Sequence, residues 1–185
     1  MMGPMSAAQQ TPETGLPPTI EAWAQGYRHG DRALTVQQMA DDVVLTSPLT
    51  EAFVFRGRDQ VGEVFAAALD LIEEPEVAGV TGSGREWAVR TTARLGGRPL
   101  EEVQWLTLGD DGRVAEVRLL VRPVPAAVSL LARLGDGLHQ RGVMPRRAAL
   151  ASRGALPMAL AMDAVERWIM PRVAPKRPPR GQLRG

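Results

Sequence analysis

Apolar residues recur at helical spacing in three segments of the first half of the chain. The first predicted helix begins at Thr19 and ends at Gly30. Its apolar residues lie at i, i+3, i+4 and i+7 and share one face: Ile20, Trp23, Ala24 and Tyr27. A second, short helix is predicted over residues 32–40. A third is predicted from Asp59 to Ile72, where Pro75 stops it.

The alternation of apolar and polar residues predicts β-strands between and after these helices. Two strands, Val43 to Thr46 and Ala52 to Arg56, precede the third helix, and a strand near Glu76 to Val80 follows it. Three longer segments joined by tight turns close the domain as an antiparallel meander: residues 86–95, 99–108 and 113–123. This order predicts an α+β fold in which helices pack on one face of a curved antiparallel sheet.

The chain changes character at Pro125. Eleven of the 22 Lys and Arg residues follow it, but only three of the 21 Asp and Glu, which leaves a charge of +8 after Pro125 and −7 before it. Two amphipathic helices are predicted there, over residues 126–141 and 155–170, with a linker between them. The chain is therefore predicted to have four parts: a flexible N-terminus (1–18), a cone-shaped domain (19–124), a helical extension (125–170) and a basic, disordered tail (171–185).

Composition excludes several kinds of chemistry. The chain has no cysteine, which excludes disulfides, thiolate metal sites and cysteine nucleophiles and fits a reducing compartment. The two histidines form no cluster, so we expect neither a metal nor another cofactor. No apolar run reaches the roughly eighteen residues of a membrane span, and the N-terminal residues lack the pattern of a signal peptide. We therefore expect a cytoplasmic protein.

Four segments between Thr19 and Pro123 occur in a recognisable order: IEAWAQGYRHGD, ADDVVLTSPL, FRGRDQVGEVF and LGDDGRVAEVRLLVRP. Their order and spacing resemble the nuclear transport factor 2-like superfamily, and its SnoaL-like and ketosteroid-isomerase-like branch most closely. The resemblance implies a cone in which a curved sheet and three helices enclose a pocket, and a homodimer formed through the outer sheet face. Members include isomerases, polyketide cyclases, epoxide hydrolases, dehydratases and non-catalytic binding proteins, so the fold does not determine the function.

The isomerases of this branch, by the same resemblance, combine a carboxylate base with a tyrosine and a protonated acid that hold the developing enolate oxygen. The position of the base, just before the proline of the first strand, holds Ser47. A serine hydroxyl stays protonated near pH 7 and is a poor base. The position of the tyrosine holds Trp23 and that of the acid holds Gln104, which both still donate hydrogen bonds. The base is therefore missing, and we do not expect steroid isomerase chemistry.

Glu102 is the candidate for a substitute acid or base. If Gln104 points into the cone, strand alternation turns Glu102 and Leu106 inward and Val103 and Trp105 outward. Apolar neighbours would then raise the pKa of Glu102 and make it a proton donor or acceptor. The alternative is a solvated or ion-paired carboxylate near the start of its strand.

The other candidates divide between the inside and the outside of the cone. Residues that could line a ligand pocket, or equally form plain core, are Trp23, Tyr27, Ser47, Phe55, Phe65, Trp87, Val89, Gln104, Val117 and Leu119. On the outer face we expect Arg118 and Arg122 to pair with Glu101 or Glu116 across strands. These arginines are not interpreted as catalytic.

Three functions are consistent with the sequence. The first is binding of a small, mostly apolar molecule. The second is an isomerase, cyclase or hydrolase that acts on such a molecule through Glu102, and the third is an interaction module that works through the basic extension. We expect a homodimer in which Val103, Trp105 and Leu120 meet, and no nucleic acid, because no nucleic-acid motif occurs. Membrane contact by the tail is not favoured. The amphipathic helices of the extension could instead cover the cone mouth or the outer sheet, and we expect Leu156 to Met170 to dock on the protein's own body.

Overall fold

The computed structural model describes residues 15–48 and 54–173. The predicted N-terminus before residue 15, the start of the second predicted strand and the tail after residue 173 lie outside these ranges. The first described elements are α1 (Pro18–His29), α2 (Arg32–Gln37), β1 (Met39–Thr46), β2 (Val54–Arg56) and α3 (Arg58–Leu69). Four longer strands follow: β3 (Ile72–Ser83), β4 (Glu86–Leu95), β5 (Arg98–Leu108) and β6 (Val114–Arg122). The last elements are α4 (Val124–Gln140), α5 (Arg146–Arg153), α6 (Leu156–Ala164), a π-helical segment (Val165–Ile169) and α7 (Met170–Val173).

The six strands form one curved, unclosed sheet in the order β2-β1-β6-β5-β4-β3. Neighbouring strands are antiparallel except β1 and β6, which run parallel with Leu45 beside Val117. The predicted α+β fold with a curved sheet and a C-terminal helical extension is confirmed. The sheet is nevertheless mixed rather than wholly antiparallel. Only a hairpin forces two strands to run antiparallel, and β1 and β6 are far apart in the sequence.

The second helix is shorter than predicted. It ends at Gln37, and Met39 already belongs to β1. The backbone N–H of Val114 in β6 donates to the carbonyl oxygen of Gln38 at 2.8 Å, and the Met39 side chain is fully buried. Pairing with a distant strand and burial in the core therefore override the local preference of these residues for a helix.

The third helix also ends earlier than predicted, at Leu69, and β3 after it is much longer than the strand expected there. Pro75, predicted to stop the helix, lies inside β3. This strand is at the edge of the sheet, where a residue without an N–H is tolerated, and the pairing shifts register between Glu73 and Glu76. The proline therefore marks an irregularity in an edge strand instead of a helix end.

The core lies between one face of the sheet and helices α1 and α3. Trp23 of α1 and Phe65 of α3 meet edge to face, with ring centroids 5.5 Å apart. Strand β5 contributes five buried side chains at alternate positions: Leu100, Glu102, Gln104, Leu106 and Leu108. Trp105, between two of them, exposes 43% of its surface. The predicted alternation of this strand is therefore confirmed.

The outer face of the sheet carries ion pairs, two of them across strands and one within β6. Glu101 accepts hydrogen bonds from Arg90 at 3.2 Å and from Arg122 at 2.7 Å, and Glu116 accepts one from Arg118 at 2.8 Å. The predicted pairing across strands is confirmed for Arg122 with Glu101, whereas Arg118 pairs with Glu116 of its own strand. Such exposed pairs contribute little to stability, but they show which face of the meander points away from the core.

The extension packs on the domain through α4, which contacts α3 and strands β4, β5 and β6 and buries Leu130 and Leu138. Helix α5 forms where a linker was predicted, and its buried Ala149 lies against Gly135 of α4. Helix α6 also contacts α4, and Ala159 is its one buried residue. The part of the extension that covers the domain is therefore α4.

The predicted docking of Leu156 to Met170 is wrong for its large apolar side chains. Five of them expose between 38% and 60% of their surface: Leu156, Leu160, Val165, Trp168 and Ile169. Helix α4 occupies the surface of the domain, and α6 packs on α4 through a small residue, so its large side chains turn outward. Within residues 15–48 and 54–173 no helix combines the length and apolar character that a membrane span requires.

Candidate functional site

A partly enclosed cavity of about 80 Å³ lies between the sheet, α3 and α4. Its wall is almost entirely apolar, and the domain supplies, among others, Leu45, Phe55, Phe65, Ile72, Leu119 and Val121. The polar side chains on the wall are those of Tyr27, Ser47, Glu102 and Ser152. An apolar pocket with a few polar groups is the composition typical of a small-molecule site.

Glu102 and Tyr27 form a polar pair on this wall. The hydroxyl group of Tyr27 donates to Oε2 of Glu102 at 3.2 Å. The apolar stripe of α1 turns Tyr27 toward the sheet, and strand alternation turns Glu102 toward the helix. Thr91 lies opposite Glu102 on β4 and donates from Oγ1 to its backbone oxygen at 3.4 Å. The pair is therefore held between one helix and two strands.

Burial raises the pKa of Glu102 from its ordinary value of 4.5 to about 7. The hydrogen bond from Tyr27 and the nearby amide of Gln104 act in the opposite direction and are weaker. Burial also raises the pKa of Tyr27 above its ordinary value, and the charge of Glu102 adds to this effect. Near neutral pH, Glu102 therefore exists both as an acid and as a carboxylate, whereas Tyr27 keeps its proton and donates.

A second polar pair lies in the core next to the first. Nε1 of Trp23 donates to Oε1 of Gln104 at 2.7 Å, and both side chains are fully buried. Nε2 of Gln104 makes no direct hydrogen bond to any described residue, although the amide lies close enough to Glu102 to favour its carboxylate form. This pair connects α1 to β5, so it positions Tyr27 and Glu102 relative to each other.

The predicted site residues, which are the ten lining candidates and Glu102, divide into two sets. Six of them lie on the cavity wall: Tyr27, Ser47, Phe55, Phe65, Glu102 and Leu119. The other five are buried in the core and do not contribute to the described wall: Trp23, Trp87, Val89, Gln104 and Val117. The two positions matched to the isomerase tyrosine and acid are thus bonded to each other inside the core. The tyrosine and acid that reach the cavity lie four residues after Trp23 and two residues before Gln104.

Helix α4 supplies part of the wall, and none of its residues was among the predicted lining residues, although covering of the cone mouth by the extension was considered. Leu130, Leu131, Leu134 and Leu138 of α4 line the cavity, together with Met144 after the helix. These leucines recur three and four residues apart, which was the signal for an amphipathic helix, but the pattern does not say which surface the helix covers. Over the described ranges, no cluster of three or more histidines and carboxylates could hold a metal ion.

Similarity to a known family covers most of the cone. The SnoaL-like domain family matches residues 20–117, which is more than half of the chain. The chain belongs to this family. Helix α4 lies beyond the matched residues, so part of the cavity wall in this SnoaL-like protein comes from outside the matched domain. No curated protein matches the chain.

Solved structures resemble this SnoaL-like protein in fold. An uncharacterised protein with a cystatin-like fold from Silicibacter pomeroyi DSS-3 is 26% identical with a TM-score of 0.61, covering 77% of this chain and 96% of that one. A steroid delta-isomerase from Pseudomonas aeruginosa is 23% identical with a TM-score of 0.62, covering 68% and 93%. An NTF-2 like protein of unknown function from Burkholderia xenovorans LB400 is 19% identical with a TM-score of 0.50, covering 56% and 79%. These likenesses agree with the nuclear transport factor 2-like superfamily.

Proposed function

We propose that this protein binds a small, mostly apolar molecule that carries one hydrogen-bonding oxygen. The observation that carries the proposal is the buried carboxyl group of Glu102, which has a pKa of about 7 and lies beside the hydroxyl of Tyr27 on an almost entirely apolar wall. In its protonated form Glu102 can donate to a carbonyl or hydroxyl oxygen, and as a carboxylate it can accept from a hydroxyl group. A ligand oxygen at this point would compensate for the burial of the carboxyl group.

The size of the cavity restricts the ligand. Its volume is about 80 Å³, whereas an apolar cavity of roughly 150 Å³ is known to take up benzene. A molecule of a few carbon atoms with one oxygen therefore fits the cavity as it stands. A molecule the size of a steroid would require the wall formed by α4 to move. The proposal is accordingly for a short-chain or small-ring ligand.

Acid–base catalysis on such a ligand is the second candidate function. The observation that favours it is again the pKa of Glu102, because a group that titrates near the working pH both gives and takes protons efficiently. As a carboxylate, Glu102 would take a proton from the carbon next to a ligand carbonyl and return it to the same or another carbon. Ser47 supplies no base here, so this single carboxyl group would have to serve both steps.

The test is an NMR titration of the full chain, with labelled leucine methyl groups, against butanone and its hydrocarbon counterpart 2-methyl-1-butene. Butanone should shift the methyl signals of the cavity wall more strongly below the pKa of Glu102 than above it. Glu102→Gln keeps a donor and should remove this pH dependence, whereas Glu102→Leu should abolish the preference for the ketone. Glu101→Gln, on the opposite face, is the matched control and should behave as the wild type.

The outcomes separate the two functions. Equal affinity for ketone and hydrocarbon, or shifts away from the cavity, would reject ligand recognition through Glu102. Exchange of the α-protons of butanone for deuterium in D₂O, catalysed by the wild type and lost in Glu102→Gln, would support the enzyme. Binding without such exchange would support the binding protein alone.

A further inference from the structure

The surface formed by residues 156–173 is apolar and exposed; we call it the C-terminal apolar surface. It comprises α6, the π-helical segment and α7. Eight large apolar side chains on it expose 38% of their surface or more, including Leu160, Trp168, Ile169 and Met170. A helical segment of this kind would ordinarily turn its large side chains toward a core. Here they face outward along its whole length.

None of the residues in 15–48 and 54–173 covers this surface, because other groups hold the segment in place. Ala159 is the buried residue through which α6 packs, and Asp163 forms an ion pair with Arg98 of β5. These contacts leave the large side chains on the outer side. Apolar surface left in water is unfavourable relative to burial, in proportion to its area. A continuous exposed apolar surface therefore marks a place where something else binds.

Positive charge precedes and follows this surface along the chain. Arg146 and Arg147 are exposed at the start of α5, the helix that precedes it, and Leu150 of the same helix exposes 52% of its surface. Within the surface itself Arg172 and Glu166 are exposed, and Arg167 pairs with Asp163, so the excess of positive charge lies outside it. The sequence that follows residue 173 contains four basic residues and no acidic one. We propose that the C-terminal apolar surface binds an anionic lipid bilayer: the apolar side chains enter the interface, and the arginines meet lipid phosphates or carboxylates.

A bilayer fits these observations better than a second copy or a nucleic acid. In a symmetric contact between two copies the basic segments that flank the C-terminal apolar surface in sequence would be brought together, and like charges oppose such a contact. A nucleic acid would use the arginines, but its phosphate backbone offers no partner for Leu160, Ile169 and Met170. Only an anionic bilayer uses both the apolar and the basic groups.

The experiment is co-sedimentation of the full chain with two kinds of vesicle, one of phosphatidylcholine and one of phosphatidylcholine and phosphatidylglycerol in equal parts. We expect binding to the anionic vesicles, little binding to the neutral ones, and loss of binding at about 1 M salt, where the Debye length is about 3 Å. The fluorescence of Trp168, the most exposed tryptophan, should shift to shorter wavelength on binding.

Variants show which groups are responsible. Trp168→Ser with Ile169→Ser should weaken binding to anionic vesicles by about tenfold or more. Arg146→Gln with Arg147→Gln should weaken it by about fivefold for each arginine. Trp105→Ser, on the outer sheet face, should leave it unchanged.

Four results would overturn the proposal: no vesicle binding by the wild type, unchanged binding by the Trp168/Ile169 variant, equal binding to neutral vesicles, or self-association or duplex DNA binding in place of vesicle binding. The melting temperature of each variant, compared with the wild type, distinguishes loss of the surface from loss of the fold.

Discussion

Replacement of Glu102 by glutamine should change how the stability of the folded protein depends on pH. In the folded wild type the pKa of Glu102 is about 7, compared with an ordinary value of 4.5 that applies to the unfolded chain. Because the folded pKa is the higher one, the unfolded chain loses this proton first as pH rises. The wild type therefore loses stability as pH rises from about 4.5 to about 7, and this loss is absent at lower pH.

The size of the effect follows from the two pKa values. Their difference corresponds to roughly 3 kcal/mol in the free energy of unfolding, an order-of-magnitude figure for a buried group. Glutamine has the shape of the protonated acid and does not ionise. The free energy of unfolding of Glu102→Gln, relative to the wild type, should therefore rise by roughly 3 kcal/mol between pH 4.5 and pH 7 and level off above that.

The measurement is urea unfolding followed by tryptophan fluorescence at a series of pH values. Glu101→Gln is the matched control, because Glu101 is exposed and its hydrogen bonds with Arg90 and Arg122 lower its pKa. A lowered pKa stabilises the folded protein at pH values above the ordinary pKa, and this stabilisation is lost on acidification. The free energy of unfolding of Glu101→Gln, relative to the wild type, should therefore change with pH in the direction opposite to that of Glu102→Gln. Parallel curves for the wild type and Glu102→Gln from pH 4.5 to pH 8 would refute the reasoning. A carboxyl ¹³C signal of Glu102 that titrates near its ordinary value would do so as well.

Three further predictions concern the extension, the chemistry and the assembly. Deletion of Pro125–Gly185 should lower the melting temperature strongly or cause aggregation, because each large apolar side chain that α4 buries contributes roughly 1.5–3 kcal/mol. Deletion of Leu156–Gly185 alone should change the melting temperature little. If calorimetry showed the same decrease for both deletions, the conclusion that α4 is the helix that covers the domain would be contradicted. The protein should not convert a β,γ-unsaturated ketosteroid to its conjugated isomer, since Ser47 stands where the base is required; protein-dependent absorbance of the product would show otherwise. The chain should form a homodimer through the outer sheet face, where Trp105 and Leu120 expose 43% and 53% of their surface, and a wild type that sediments as a monomer at micromolar concentration would argue against it.

The candidate site shows which features the local sequence pattern predicts and which it does not. The period of two along β5 predicted that Glu102 and Gln104 share the inner face, and the helical spacing in α1 predicted that Trp23 and Tyr27 share one side. Neither pattern predicted which of the two helix residues contacts which of the two strand residues. That choice depends on how deeply α1 sits on the sheet. The structure pairs Tyr27 with Glu102 and Trp23 with Gln104.

The sequence by itself determined the order of helices and strands, the inner and outer faces of the meander, and membership of a superfamily. These features depend on residues that are neighbours along the chain, so a single sequence carries them. Only the tertiary structure decided that β1 runs parallel to β6, that α4 instead of α6 covers the cavity, and that Glu102 is buried deeply enough to titrate near pH 7. Strand direction, docking and desolvation depend on the relative positions of elements far apart in sequence. No local spacing encodes those positions.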